Sequence, residues 1–574
     1  MNSIFVLILG ALVIVVGYGW YARRIDRDIV QPDPGKATPA KMYMDGVDFT
    51  PASRNVLFGY QFKSVAALAP LTGPIVALQW GWLPALVWIL GGVFLIGWVQ
   101  DYGAMIMGVR RDGETMSALS YKLISPRART ILMVFIYFYL LLIMGAFGNA
   151  VGKVLMVKPQ VPFGMIALVV MGVLAGQMTY KWKQNIMVTT VVTVGLTFVG
   201  IWLGTLPAVS GIFSALYGGA ESPIIFGTNT QAAVIGTLLM LLFCYLGSVL
   251  PIWSFAQPVN YVSFWIVTLG MVGGVVGLVI WHPGMADFPA FTQFSTAIGP
   301  LWPMLFVTIA CGAISGWHSL VSTSGTARQL EKETDALPVG GGAMFMEAGF
   351  AVVAFLTATV AFGSYQGFLD AGGSGAALGV FAGGLASFLS HIGVPLVFGT
   401  AYGSVFLVIM AITIMQLVVR FMRVASAEML GDSIPVMKNV HVGSIVALAL
   451  TFIFVLIIPW LTIWVAFGAS NQLMAGLALL LVSLWLMSEG RKHAWALYPA
   501  IFMIVTTLAA LLYVAYTNLV TKLPAALAGG NTQGAFASGL IGLICLVLVV
   551  AALVLIWDGW QAIQRAQKEA PAEA

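Results

Sequence analysis

Long apolar runs separated by short polar loops make up most of this chain of 574 residues. A transmembrane helix needs about 20 mostly apolar residues, and runs of that length predict about fifteen spans. They lie near 3–22, 56–79, 82–108, 130–154, 161–180, 185–207, 232–254, 259–281, 302–327, 343–363, 396–419, 442–466, 470–488, 495–516 and 536–558. The pattern therefore predicts an all-α polytopic membrane protein.

Two of these runs lose their apolar character at membrane depth. Prolines and glycines interrupt the run 56–79 over 66–74, and glycines and hydroxyl side chains crowd the run 302–327 over 315–323. An unsatisfied backbone group in hydrocarbon costs several kcal/mol, so a broken helix persists only inside protein or beside an aqueous cavity. Paired broken helices form solute sites in transporters, and we expect these two breaks to form such a site.

The distribution of Lys and Arg predicts the topology. If the short, glycine-rich run 375–390 is re-entrant or interfacial, most basic clusters fall on one side, which the positive-inside rule makes the cytoplasm. The N-terminus is then outside, the C-terminus is cytoplasmic, and the broken helices run in opposite directions, as in a five-plus-five inverted repeat. The predicted divisions are a leading helix and cytoplasmic linker, a first repeat, an inserted hairpin, a second repeat and trailing helices with a tail, at 1–55, 56–207, 208–281, 282–490 and 491–574.

Composition excludes several other classes of protein. Only 8% of the residues are charged, against roughly 25% in soluble domains, and the net charge of +5 follows topology rather than a nucleic-acid surface. The three cysteines show no CxxC spacing, the five histidines are scattered, and no phosphate loop or HExxH motif occurs. We expect no enzyme activity, cofactor, metal or nucleic-acid partner; the expected partners are the lipid bilayer, a small-molecule substrate and a proton or cation.

Lys63 and His318 are the strongest candidates for chemistry in the broken helices. A lysine at the bilayer centre costs about 2.5–3.5 kcal/mol, so Lys63 either faces a cavity, where it can attract a carboxylate, or lies near the cytoplasmic mouth and snorkels. His318 suits proton coupling because its ordinary pKa is near 6.5. The alternative for His318 is a structural hydrogen bond to a neighbouring carbonyl.

Other polar residues near spans have structural interpretations. Asp101 is expected in an interfacial ion pair with the arginines that follow it, and Glu347 as a cap near a helix start, where the dipole favours an acid. Asn149 is expected to bond between helices. Asn471 and Gln472 either cap a helix or face the cavity.

Several motifs together resemble the carbon starvation protein A (CstA) family of bacterial membrane transporters. They are DGVDFTP at 45–51, LFGYQFKSVAALAPLTGP at 57–74, WGWLPALVWILGG at 80–92, GAISGWHSLVSTSGTARQL at 312–330, AEMLGD at 427–432 and FGASNQLMAGLAL at 467–479. The resemblance implies an inner-membrane permease for short peptides or pyruvate, with proton coupling and a LeuT-like fold of the amino acid/polyamine/organocation superfamily.

The chain departs from this family pattern in two helices. Related sequences read like HHF-A-S-I-A-G-A-G-P in the first broken helix, where this chain has Lys63, and like Thr-Thr-x-Asp in the helix before Arg420, where only Thr413 and Gln416 are polar. In LeuT-like folds that helix completes the ion site, so the departures indicate altered coupling or an altered substrate. The residues predicted to bind substrate are Lys63, Ser64, Pro70, Thr72, Gly73, Ser315, Gly316, Ser319, Ser322 and Thr323, and those predicted for ion or proton coupling are His318, Lys63, Thr413 and Gln416.

The sequence therefore predicts a secondary active transporter that imports small carboxylate-bearing nutrients by alternating access, with proton coupling. The breaks form the site, Lys63 receives the carboxylate and His318 carries the proton. The alternative is a transporter-derived nutrient sensor that binds its ligand without moving it.

Overall fold

The computed structural model describes residues 2–45, 48–219, 221–285 and 287–569. Within these ranges fourteen helices are long and apolar enough to cross a membrane, and the bent first broken helix makes fifteen. The fourteen are Ser3–Val30, Trp82–Arg110, Pro126–Leu155, Val161–Lys181, Ile186–Thr205, Gln231–Val249, Ala256–Trp281, Glu333–Thr359, Gly373–Ser390, Leu396–Leu430, Val440–Ile457, Trp460–Ser488, Ala494–Ala528 and Thr532–Arg565. The prediction of an all-α polytopic protein with about fifteen spans is confirmed.

Short elements connect the spans. The connecting α-helices are Pro39–Met42, Met116–Leu123, Pro207–Leu216 and Tyr365–Asp370, and Pro435–Lys438 forms a connecting 3-10 helix. The strands Ile224–Phe226 and Asn229–Thr230 pair as an antiparallel hairpin. The end of the predicted tail, 570–574, and Gly46 and Val47 of the DGVDFTP motif lie outside the described residues.

Three helix assignments differ from the predicted ones, and one of them is the predicted span 302–327, which is divided into the helices Leu301–Thr308 and Gly316–Val321. The predicted boundary between the spans 442–466 and 470–488 lies inside a single helix, Trp460–Ser488. The preceding helix ends earlier, at Ile457. The residue before a proline is pushed out of the helical region, and Ile458, before Pro459, is extended with φ −94° and ψ 129°. The run 375–390, which we expect to be re-entrant or interfacial, lies in a helix, Gly373–Ser390, with the length and composition of a span. Membrane orientation stays a prediction.

Contacts between Cα atoms divide the chain into two compact units. Of the described residues, the first unit contains those within 2–6, 140–289 and 353–464, and the second unit contains those within 7–139, 290–352 and 465–569. Both broken helices lie in the second unit, together with most of the predicted site residues. The five predicted divisions and the inverted repeat remain predictions.

Candidate functional site

The second broken helix is open at a different place from the one predicted. Helix Leu301–Thr308 ends before the irregular stretch 309–315, and helix Gly316–Val321 then continues into the π-helical turn Ser322–Thr326. The break is therefore over 309–315 rather than 315–323. The hydroxyl-rich residues after Ser315 are helical, and Ser319 and Thr323 satisfy their hydroxyl groups within the helix by donating to the backbone carbonyls of Gly316 and Ser319, at 2.7 and 2.8 Å.

Two amide side chains of helix Trp460–Ser488 hold this break. Gln472 Nε2 donates to the carbonyls of Ile309 and Ala310, at 2.9 and 3.2 Å. Asn471 Oδ1 accepts from the Tyr139 hydroxyl at 2.6 Å and from the Trp317 amide at 3.2 Å. Asn471 Nδ2 donates to Ser315 Oγ at 3.3 Å. Asn471 and Gln472 thus satisfy polar groups of the opened backbone, which membrane burial makes necessary.

Close backbone packing fixes the start of helix Gly316–Val321. A Cβ at Gly316 would lie 2.2 Å from the Asn471 carbonyl oxygen and 2.8 Å from the Ala475 nitrogen. These are backbone atoms that cannot rotate away. Only glycine allows the second broken helix to lie this close to helix Trp460–Ser488.

We expect Gly316→Ala to lower stability by about 1–3 kcal/mol, the usual cost of overpacking a filled interior. Thermal unfolding of the purified protein in detergent would measure the change. Gly349→Ala is the matched control, since its Cβ would meet only Ile14 Cδ1, at 3.8 Å, and alanine favours helix by up to about 1 kcal/mol over glycine. Equal midpoints for the two variants would contradict this account of Gly316.

The first broken helix contacts the second broken helix beside the break in each. Its halves, Arg54–Val65 and Ala69–Trp80, are bent by 47°, so the break falls at 66–68, and the predicted interruption 69–74 is helical. The Ser64 carbonyl accepts from Trp317 Nε1 at 2.7 Å. A Cβ at Gly73 would lie 2.9 Å from the Thr308 carbonyl oxygen. The two openings therefore face each other within the second unit.

Four ionisable side chains lie buried beside these openings. His318 Nδ1 is 2.7 Å from Asp101 Oδ2, and His318 Nε2 is 3.2 Å from Glu347 Oε2. Lys63 is 1% exposed and interacts electrostatically with Glu347. These residues come from four separate helical segments, and we call them the ionisable cluster: Lys63, Asp101, His318 and Glu347.

Gln100 connects the cluster to the opened backbone. With its amide nitrogen turned toward the acceptors, it donates to Asp101 Oδ1 at 2.7 Å and to the Ser315 carbonyl at 2.9 Å. Its oxygen then accepts from the Ser319 amide at 3.1 Å. Asp101 is consequently held at both oxygens, by Gln100 and by His318, whereas no described residue donates a hydrogen bond to either oxygen of Glu347.

The predicted substrate residues are all buried in the second unit. These are Lys63, Ser64, Pro70, Thr72, Gly73, Ser315, Gly316, Ser319, Ser322 and Thr323. Burial of Lys63 and its interaction with Glu347 agree with the interior alternative rather than with snorkelling. Gln61, which sequence reasoning missed, bonds to Ser322 Oγ at 2.9 Å and accepts from the Thr326 hydroxyl.

Two predicted coupling residues lie elsewhere. Thr413 and Gln416 belong to the first unit, where the Thr413 hydroxyl donates to the Ile409 carbonyl at 2.7 Å. Gln416 Nε2 donates to Asn260 Oδ1 at 3.1 Å. Within that unit they bond to their own helix and to the helix Ala256–Trp281.

Structural interpretations of two acids were wrong. Asp101 pairs with His318 rather than with the following arginines, since Arg110 Nη2 lies 3.1 Å from Glu333 Oε2. Glu347 does not cap a helix, because the helical run already begins at Glu333. The structural alternative for His318, a hydrogen bond to a neighbouring carbonyl, named the wrong partner. Among the described residues the ring contacts the carboxylates of Asp101 and Glu347.

The interpretation of Asn149 was correct. Its Nδ2 donates to the Val455 and Ile458 carbonyls, at 3.2 and 2.7 Å, and so bonds between helices. The alternative that Asn471 and Gln472 cap a helix start was wrong because both lie well inside Trp460–Ser488.

Among the described residues, Cys311, His318 and Glu347 have the spacing of a metal site, with ligand atoms within 4.8 Å of one another. Sites with three N, S or O ligands bind Zn²⁺ in many proteins. Two observations count against a cation here: the basic residue Lys63 is buried in the same cluster, and the Cys311 thiol donates to Ser315 Oγ at 3.2 Å. We therefore interpret the group as one that holds protons, and the absence of a metal stays a prediction.

The described residues define an all-α polytopic membrane protein whose two broken helices meet beside buried ionisable groups. The chain belongs to the carbon starvation protein CstA family, whose family model matches residues 2–372 and 369–510. This confirms the resemblance seen in its motifs.

Individual relatives are similar at moderate identity. The chain is 30% identical over 366 residues to the pyruvate/proton symporter BtsT of Escherichia coli (strain K12), covering 63% of this chain and 49% of that protein. It is 27% identical over 579 residues to the peptide transporter CstA of Campylobacter jejuni, covering 88% and 80%. The chain spans about half the length of the Escherichia coli relatives that it matches. Among solved structures, MhsT in complex with L-phenylalanine is similar at 14% identity and a TM-score of 0.41, covering 89% of this chain and 99% of that one.

Proposed function

We propose that this protein is a secondary active transporter of the bacterial inner membrane that imports small carboxylate-bearing nutrients, short peptides or pyruvate. Transport proceeds by alternating access and is coupled to protons. The observation that carries the proposal is the buried ionisable cluster placed where two broken helices open toward each other. The names of the relatives, a pyruvate/proton symporter and peptide transporters, support the same class of substrate.

In this proposal Lys63 receives the substrate carboxylate together with amides at the two breaks. Ser319 and Thr323 already donate their hydroxyl protons to backbone carbonyls. They therefore offer acceptor lone pairs, which suit an N–H group such as a peptide amide. Ser322, which accepts from Gln61, completes the pocket.

His318 carries the coupling proton. A neutral imidazole has one N–H donor and an imidazolium has two. When both carboxyls are ionised, both contacts of His318 are attractive only for the imidazolium; when Glu347 is protonated, its O–H can donate to a neutral Nε2. The pair His318 and Glu347 thus has two favourable arrangements that differ in where the proton lies, which a carrier needs.

The experiment that tests the function is uptake of radiolabelled pyruvate and of alanyl-alanine by proteoliposomes, with and without an inward proton gradient. Stimulation of either by the gradient supports a proton-coupled importer. One proton moved with a zwitterion gains about 2.3 kcal/mol per 100 mV, enough for roughly fifty-fold accumulation. Absence of flux for both, with ligand-induced thermal stabilisation, would instead favour the nutrient sensor.

Lys63→Met is expected to raise the substrate concentration for half-maximal uptake by about ten- to hundredfold, because a charge-assisted hydrogen bond contributes about 1.5–3 kcal/mol. Uptake kinetics over a substrate series would measure it. Lys492→Met, at an exposed lysine, removes the same charge outside the site and is expected to leave the affinity unchanged. Full affinity in Lys63→Met would exclude Lys63 as the carboxylate receptor.

A further inference from the structure

Glu347 is the least satisfied member of the ionisable cluster. It is fully buried, and no described residue donates a hydrogen bond to either of its carboxylate oxygens. A buried carboxylate without hydrogen bonds is costly in its charged form unless a cation balances it. Asp101, by contrast, is held at both oxygens by Gln100 and His318. Glu347 is therefore the acid whose charge depends most on its neighbours.

Four titratable groups face Glu347, each from a different helix or break. His318 Nε2 lies 3.2 Å away, on the helix that follows the second break. Lys63, on the first broken helix, and Asp101, on helix Trp82–Arg110, interact with it electrostatically. Cys311 lies within the second break and contributes a thiol. The two cations among these groups are Lys63 and the protonated form of His318.

The charges of the ionisable cluster balance in only some states. With Lys63 and His318 positive and Asp101 and Glu347 negative, the sum is zero. A substrate carboxylate that pairs with Lys63 brings the sum to −1, in a site without a further described cation. Uncompensated charge inside a membrane protein is strongly unfavourable. Neutralising one acid restores the balance, and Glu347 is the acid that holds no hydrogen bond.

We propose that Glu347 takes up one proton, by way of His318, for each substrate carboxylate that binds in the ionisable cluster. This inference rests on the proposed transport function and deepens it. When the substrate carboxylate binds, His318 transfers its Nε2 proton to Glu347, 3.2 Å away, and regains one from the side where the substrate entered. On the other side the substrate leaves, and Glu347 releases its proton through His318 and becomes a carboxylate again. No bond to carbon forms or breaks, and the proton that enters is the proton that leaves.

Glu347→Gln separates coupling from movement of substrate. Glutamine resembles the protonated acid and stays neutral at every pH. With a gradient of one pH unit, a one-to-one symporter accumulates an anion about tenfold, since one unit equals 1.36 kcal/mol. We expect Glu347→Gln to equilibrate substrate without accumulating it. Exchange of internal for external substrate at equal pH should persist within about threefold, as it needs no net proton transfer.

The experiment uses proteoliposomes containing the full chain and whichever of pyruvate or alanyl-alanine the wild type transports. Gradient-driven accumulation, exchange at equal pH and substrate-induced proton entry, read with an internal pH dye, are measured for each variant. Glu428→Gln, at an exposed glutamate, is the control and should behave as wild type. Glu347→Asp keeps a titratable carboxyl and should recover proton entry; it tests the inference if the glutamine variant does not fold.

The outcomes distinguish this inference from the function on which it rests. Exchange without accumulation or proton entry in Glu347→Gln supports it. Accumulation and proton entry at wild-type levels in that variant overturn it while leaving the transporter intact. Loss of exchange as well, in a variant that folds and elutes as wild type does, also overturns it. Absence of flux in the wild type itself refutes the proposed function and, with it, the inference.

Discussion

Replacing His318 with glutamine is expected to reduce gradient-driven uptake by about two orders of magnitude and to remove its dependence on external pH. The substitution leaves the carboxyls of Asp101 and Glu347 without the imidazole that lies between them. Removing one partner from a buried charged pair costs about 3–5 kcal/mol, and glutamine has no proton to transfer. Initial rates of uptake between pH 5 and 8 would measure both effects.

The control for this prediction is His391→Gln. His391 is exposed and stacks on Trp281, with ring centroids 4.4 Å apart, so its loss should alter neither rate nor pH profile. Size-exclusion profiles and thermal midpoints of both variants separate a loss of function from a loss of folding. A His318→Gln protein that folds and keeps the pH profile of the wild type would exclude His318 as the proton carrier.

Hydrophobic runs predict most of the fold because lipid imposes length and polarity directly. The number of spans and the two broken helices follow from that constraint alone. Boundaries are harder to predict when adjacent runs are both apolar, as at Ile458, where one proline divides two helices within an apolar stretch. The register of the second break was also mispredicted, because serines and threonines that look irregular in sequence bond back to their own helix.

The site was only partly predictable. Lys63 and His318 are conspicuous because each is a titratable residue within a broken apolar run. Asp101 and Glu347 were misassigned because their partners are distant in sequence and because each lies near the end of a predicted span. Helix Trp82–Arg110 is long, at 29 residues, so Asp101 lies several turns inside it. The adjacent polar pair Gln100 and Asp101 within that long helix was the available signal.

Asn471→Leu is expected to destabilise the protein more than Gly316→Ala does. Leucine has a similar volume but accepts no hydrogen bond, so the buried Tyr139 hydroxyl and the Trp317 amide both lose their acceptor. Each orphaned buried group costs about 1–3 kcal/mol, which gives about 2–6 kcal/mol in total. Thermal unfolding in detergent and the yield of folded protein would measure the effect.

Tyr139→Phe separates the contribution of the Tyr139 hydroxyl from that of the Trp317 amide. The substitution removes the hydroxyl, so no donor at that position is left without an acceptor. It should cost only about 0.5–1.5 kcal/mol, the net value of one hydrogen bond. In the Tyr139→Phe background, Asn471→Leu should cost less than it does alone, because one of the two orphaned groups is already absent. If the two effects simply added, the Tyr139 hydroxyl would not depend on Asn471, and Asn471 would hold the break at 309–315 only through the Trp317 amide and Ser315.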